Sequence, residues 1–180
     1  RFALLWAVFM SAVPVALATI SFLNFGLLAR DWTHGLYGLA LGAVLLAAAQ
    51  WRLRVSQDGA FDWPGNLIVL GSFAGFAFSL HALTNGITTT ILLSILGFAY
   101  VMATRLKPWP ALPWAMAAAI ILVFARIAWE PTLVGPNRLG TTPFWNALLP
   151  GYGIPALLSI LAAYEMRNWQ DHRARNFLQA

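Results

Sequence analysis

No cysteine stands anywhere in the 180 residues. That excludes disulfides, thiolate-held zinc, iron–sulfur clusters and a cysteine nucleophile. Charge is almost as scarce, at 9% of the chain, with 6 acidic side chains against 11 basic ones. So little charge cannot clothe a soluble surface, and with 60% hydrophobic residues and a mean hydropathy of +0.70 the chain carries more apolar surface than one soluble core hides. Walker, dinucleotide and Gly-x-Ser-x-Gly motifs are also missing, since Gly71-Ser72 and Ser79 lie in apolar helical contexts. The net charge of +5 would suggest nucleic acid in a soluble protein. Here the basic residues cluster between apolar runs, where they act as topology signals, so no nucleic-acid partner is expected.

What is present is a series of apolar runs separated by short polar breaks. The expected fold is an all-α, polytopic transmembrane bundle forming a single domain of about six spans, near 2–28, 33–50, 67–83, 87–106, 113–129 and 143–166. Pro14 predicts a kink in the first. Gly38-x-x-x-Gly42 and Gly71-x-x-x-Gly75 predict close helix packing in the second and third. Asp62-Trp63-Pro64 reads as an N-cap followed by a first-turn proline, Thr84-Asn85-Gly86 as a tight turn, and Lys107-Pro108-Trp109-Pro110 as a break no helix crosses. Trp32, Trp51, Trp63, Trp109, Trp129, Trp145 and Trp169 all fall at expected span ends, where an amphipathic ring belongs. The chain opens on Arg1 and enters an apolar run at once, and it reads as a segment of a longer multi-span protein.

Assigning Lys and Arg to alternate sides gives Arg1, Arg52, Arg54, Arg105, Lys107, Arg167, Arg173 and Arg175 on one and Arg30, Arg126 and Arg138 on the other. The positive-inside rule then places both termini in the cytoplasm. The outer side receives most of the polar chemistry: Arg30, Asp31, His34, His81, Arg126, Glu130, Asn137, Arg138, Thr141, Thr142, Asn146 and Tyr152. Arg126 lies about one turn inside the fifth span, where an arginine must find a partner or bend toward water, and Glu130 is the nearest acid by helical spacing. The competing reading is that Arg126 snorkels to the headgroups while Glu130 caps the helix before Pro131. Asn146 and Tyr152 read equally as interhelical glue and interfacial belt. No metal or cofactor is expected. A metal or haem held by His34 and His81 with Asp31 or Glu130 lacks the fixed spacing that would argue for it.

The densest stretch of special residues runs from Pro136 to Pro155, bringing Asn137, Arg138, Thr141 and Thr142 together with three glycines and four prolines at the mouth of the sixth span. Backbone broken at membrane depth has to line a cavity or be buried in protein. Its order, Pro136-Asn137-Arg138-Leu139-Gly140-Thr141-Thr142-Pro143 and then Asn146-x-Leu148-Leu149-x-Gly151-Tyr152-Gly153-Ile154-Pro155-Ala156-Leu157, resembles a family of large bacterial multi-span membrane proteins catalogued as a domain of unknown function. This chain departs from the family pattern at Glu130-Pro131, in place of Asn-Pro, and at Pro150. The resemblance implies a bacterial inner-membrane protein, further spans, and importance of the 126–157 region; it implies no reaction. Three functions stay open: binding or transport of a small or anionic solute or lipid-linked envelope component, a membrane enzyme acting on a lipid-linked substrate, and a scaffold. The partners expected are the lipid bilayer and either further spans of the same chain or another membrane protein.

Overall fold

The structure, a computed structural model, describes Trp6, Phe9 and residues 31–55, 62–129, 149–168 and 173–179. All its regular elements are helical. Helix α1 spans Trp32–Val55, α2 Trp63–Leu83, α3 Gly86–Ala103, α4 Leu112–Trp129, α5 Ile154–Glu165 and α6 Arg173–Gln179; a π-helical turn, Leu149–Gly153, precedes α5, and a 3-10 turn, Met166–Asn168, follows it. Helices α1, α2 and α3 are each long and apolar enough to cross a membrane. At 24, 21 and 18 residues they run about 36, 31 and 27 Å, against a hydrocarbon core of about 30 Å. Helix α4 is apolar over a shorter length, Leu112–Arg126. Of the first expected span only Trp6 and Phe9 are described, both exposed and helical, with rings stacked at 5.8 Å. The kink at Pro14 lies outside the described residues.

The chain divides into two compact units, Arg1–Thr84 and Asn85–Ala180. In the first, α1 and α2 form an antiparallel hairpin whose axes approach through glycine. A Cβ on Gly38 would sit 2.8 Å from the Gly75 carbonyl oxygen and 2.9 Å from the Ser79 nitrogen, and one on Gly75 would sit 2.9 Å from the Gly42 nitrogen. The expected packing role of these glycines is therefore met by backbone-to-backbone contact. Ser79 Oγ donates to the Gly35 carbonyl at 2.7 Å across the same interface. Bonds of this kind in membrane bundles contribute about 0.6 kcal/mol on average.

At the other end of the hairpin the helix start was legible and the fate of its carboxylate was not. Asp62 does stand at the N-cap of α2, with Pro64 in the first turn, yet its side chain makes no cap bond. Both oxygens instead accept from Arg52, whose Nε and Nη2 donate at 2.9 and 3.1 Å. Arg52 comes from the last turn of α1, so the pair clasps the two helices where the 56–61 connection leaves them. The Asp62 side chain is only 8% exposed, which strengthens charge-assisted bonds. Asp62→Ala should cost about 1.5–3 kcal/mol in detergent-monitored unfolding. A variant as stable as the parent would show that the pair is dispensable.

In the second unit α4 runs antiparallel to α3, and α5 runs parallel to α3. Gly97 lies against Ala119 and Met116, Gly151 against Ile87, and Arg105 Nε and Nη2 donate to Glu165 Oε1 and Oε2 at 2.5 and 2.6 Å. Val101, Met116, Ala162 and Met166 form the buried centre, with Leu178 of α6 packed against it. Helix α3 ends at Ala103, three residues before the expected boundary at 106. Lys107 donates its amide to the Ala103 carbonyl at 2.9 Å, and the prolines at 108 and 110 prevent continuation. The sixth expected span, 143–166, is described only from Leu149.

Candidate functional site

Arg126 lies in the last turn of α4 with its side chain enclosed by protein, 4% exposed. It does not reach outward from the unit as a snorkelling arginine would. Its Nη2 donates to the Gly86 carbonyl at 3.5 Å, a long contact by ordinary standards. Gly86 opens α3 with φ of 59°, in the left-handed region that glycine enters without steric cost. Sequence spacing pointed to Glu130 or the following loop as partner. Glu130, Asn137, Arg138, Thr141, Thr142 and Asn146 all lie outside the described residues.

Deeper along α3, Thr89, Thr90 and Ser94 are buried, and Ser94 Oγ donates back to the Thr90 carbonyl at 3.1 Å. Gly86, Thr90 and Ser94 are spaced by four, so they share one helix face. Sequence reasoning missed this hydroxyl row. The signal was a helical period of small and polar residues inside an otherwise apolar run, read only as a span.

Tyr152 lies in the π-helical turn and is partly exposed, whereas the neighbouring Gly151 is buried against Ile87. Because α3 and α5 are parallel, this turn sits at the same end of the unit as Gly86 and Arg126. The proline- and glycine-dense sequence thus produces an irregular turn, as its composition implied. Such π insertions are rare and recur at functional sites.

Asp31, His34 and His81 belong to the first unit, and Arg30 lies outside the described residues. Asp31 Oδ1 accepts the His34 amide at 2.7 Å and stands 2.8 Å from His34 Nδ1, satisfying a free donor at the start of α1. The His34 amide, and then its ring, hold the Asp31 carboxyl below its usual range. The resulting stabilisation of the first turn is present above the ordinary carboxylate range and is lost as pH falls through the lowered value. The carboxylate is exposed, so the effect is local to that turn. His34 also meets Phe78 edge-on at 6.5 Å, and His81 is half-buried near the end of α2. Among the described residues no three histidine, aspartate or glutamate side chains group to hold a metal.

No family model, curated protein or solved structure matches the chain.

Proposed function

We propose that this is an integral protein of a bacterial inner membrane whose Arg126 end forms an outward-facing polar pocket. The pocket binds or moves a small anionic solute or a lipid-linked envelope component. Burial of Arg126 in an apolar bundle carries this reading, because an ionisable side chain kept at membrane depth is retained for function by default. Two features support it. The N-termini of α3 and α5 lie at the same end as the guanidinium, and helix N-termini favour anions. The π-helical turn adds irregular backbone there. Asn137, Arg138, Thr141, Thr142 and Asn146, expected on the same side, would complete the pocket.

A second reading is a membrane enzyme acting on a lipid-linked substrate. The 2.8 Å approach of Asp31 to His34 favours it, since a carboxylate on one ring nitrogen orients the other for proton transfer. In that case Asp31 or His34 would act as base.

Reconstituted vesicles discriminate between the two. Flux of inorganic phosphate, acetate or chloride that depends on the protein supports the pocket. Turnover of a polyprenyl-phosphate-linked sugar in detergent, without flux, moves the function to the enzyme; co-purification of a protein partner with neither activity moves it to a scaffold. Sidedness is tested by a reporter fused after Gln179, expected to be active in the cytoplasm. Activity only in the periplasm would overturn the orientation and move the Arg126 end to the inner face.

A further inference from the structure

The hydroxyl row of α3 contains one member that the protein itself does not use. Ser79, Thr84, Ser94, Thr104 and Ser159 each donate to a backbone carbonyl at 2.6–3.1 Å, the usual recourse of a hydroxyl in an apolar helix. Thr90 is only 4% exposed, yet its hydroxyl has no hydrogen-bond partner among the described residues. The acceptor a helical threonine meets first is the carbonyl four residues back. Here that is Gly86, whose oxygen faces Arg126 Nη2 instead, at 3.5 Å. A buried hydroxyl left unpaired costs stability, and such a group in a native interior calls for a reason.

The free hydroxyl lies between two contacts of α3 with α4. Gly86, Thr90 and Gly97 share one helix face, by spacings of four and seven. Gly86 meets Arg126, and a Cβ on Gly97 would sit 2.6 Å from Ala119 Cβ and 2.9 Å from Met116 Sδ. On α4, Ala119, Val123 and Arg126 follow the matching spacing, and Ala119 and Val123 are buried, so the wall across from Thr90 is apolar. Helical side chains lean toward the N-terminus of their helix. That directs Thr90 to the turn opened by Gly86, beside the guanidinium. Seven residues farther on, about 10 Å along α3, the contact at Gly97 closes the seam.

We infer, resting on the pocket proposed above, that Thr90 is a binding and specificity-determining residue of that pocket and that its solute is a small monocarboxylate. One carboxylate oxygen accepts from the Arg126 guanidinium and the other from the Thr90 hydroxyl. Arg126 is the one cation described at this end of the unit, which balances a single negative charge. The second charge of a phosphate dianion would face the apolar wall of α4. Chloride has one acceptor centre and cannot span two separated donors. The closure at Gly97 sets the size, since little chain beyond the carboxylate fits past Thr90.

The test follows thermal unfolding of the full chain in a mild non-ionic detergent while acetate, inorganic phosphate or chloride is added at matched ionic strength. Acetate should raise Tm at far lower concentration than the other two. Thr90→Val removes the hydroxyl, so acetate should bind about 10- to 100-fold more weakly, the loss of one hydrogen bond to a charged group, while Tm without anion stays level or rises. Should valine perturb the helix, Thr90→Ala removes the same hydroxyl and is read the same way. Thr90→Ser restores the hydroxyl and should respond to acetate as the parent does. An unchanged acetate response in the variants without a hydroxyl, an equal loss in Thr90→Ser, or a parent response to chloride or phosphate matching that to acetate would overturn the inference. Arg126→Leu judges the pocket separately. If that variant loses the acetate response and Thr90→Val does not, only the role of Thr90 falls; if neither loses it, or no anion raises Tm in the parent, both readings fall.

Discussion

Arg126→Leu is expected to abolish most solute binding or flux while leaving the fold at least as stable as the parent. The two halves of that expectation have different physical origins. Arginine placed in an apolar span costs about 2.5–3.5 kcal/mol when central and less near an end, whereas leucine is favourable there. Exchanging a buried charge for a hydrophobic residue of similar bulk is often neutral or stabilising, and the contact to Gly86, at 3.5 Å, is long enough that its loss should cost little. A bound anion would lose a charge-assisted hydrogen bond worth about 1.5–3 kcal/mol, or roughly 10- to 100-fold in affinity. Arg54→Leu, which removes an exposed charge at the end of α1, is the comparison. If Arg126→Leu unfolds more readily while flux is untouched, Arg126 is a structural strut and the pocket has no anchor.

Gly75→Leu should separate the α1–α2 hairpin. The atoms nearest a new Cβ are the Gly42 nitrogen and Cα at 2.9 and 3.0 Å and the Gly38 oxygen at 3.2 Å, all backbone, so no side chain can rotate away to make room. Alanine should already cost about 1–3 kcal/mol, the usual range for an overfilled interior, and leucine more, read as a lower detergent or thermal midpoint. Gly151→Ala sets the contrast. Its added Cβ would meet Ile87 side-chain atoms at 3.4–3.8 Å, ordinary contact, and stability should stay within about 1 kcal/mol. Equal tolerance at both positions would mean that the α1–α2 crossing is looser than its geometry.

The contrast between these two glycines shows what sequence could and could not supply. Gly38, Gly42 and Gly75 were legible because small residues four apart on an apolar helix have one dominant use in membranes. The span positions were legible for a similar reason: hydropathy and proline breaks act locally, and α2 began and α3 ended close to where they should. Asp62 marks the limit. Its local position said cap, but Arg52 arrives from ten residues earlier in the chain and takes both oxygens, a choice made by the fold of the hairpin. At the candidate site, the cost of a charge in an apolar run identified Arg126. Its contact at Gly86 could not be read, because it depends on how α3 and α4 are registered forty residues apart. That α5 runs parallel to α3 follows from spans that alternate in direction, but their direct contact was equally invisible, since it follows from three-helix packing and from no single residue.

The division into two units that are each continuous in sequence also bears on how the chain is made. Every contact of the α1–α2 hairpin is available once Leu83 has been synthesised, so that pair can zip up during translation with short loop closure and little waiting. The second unit has no such convenience. α3 can dock on α4 early, but its parallel neighbour α5 arrives only after residues 130–148 have been synthesised. A ribosome-arrested chain ending before Leu149 should therefore already contain the α1–α2 hairpin and lack the α3–α5 contact.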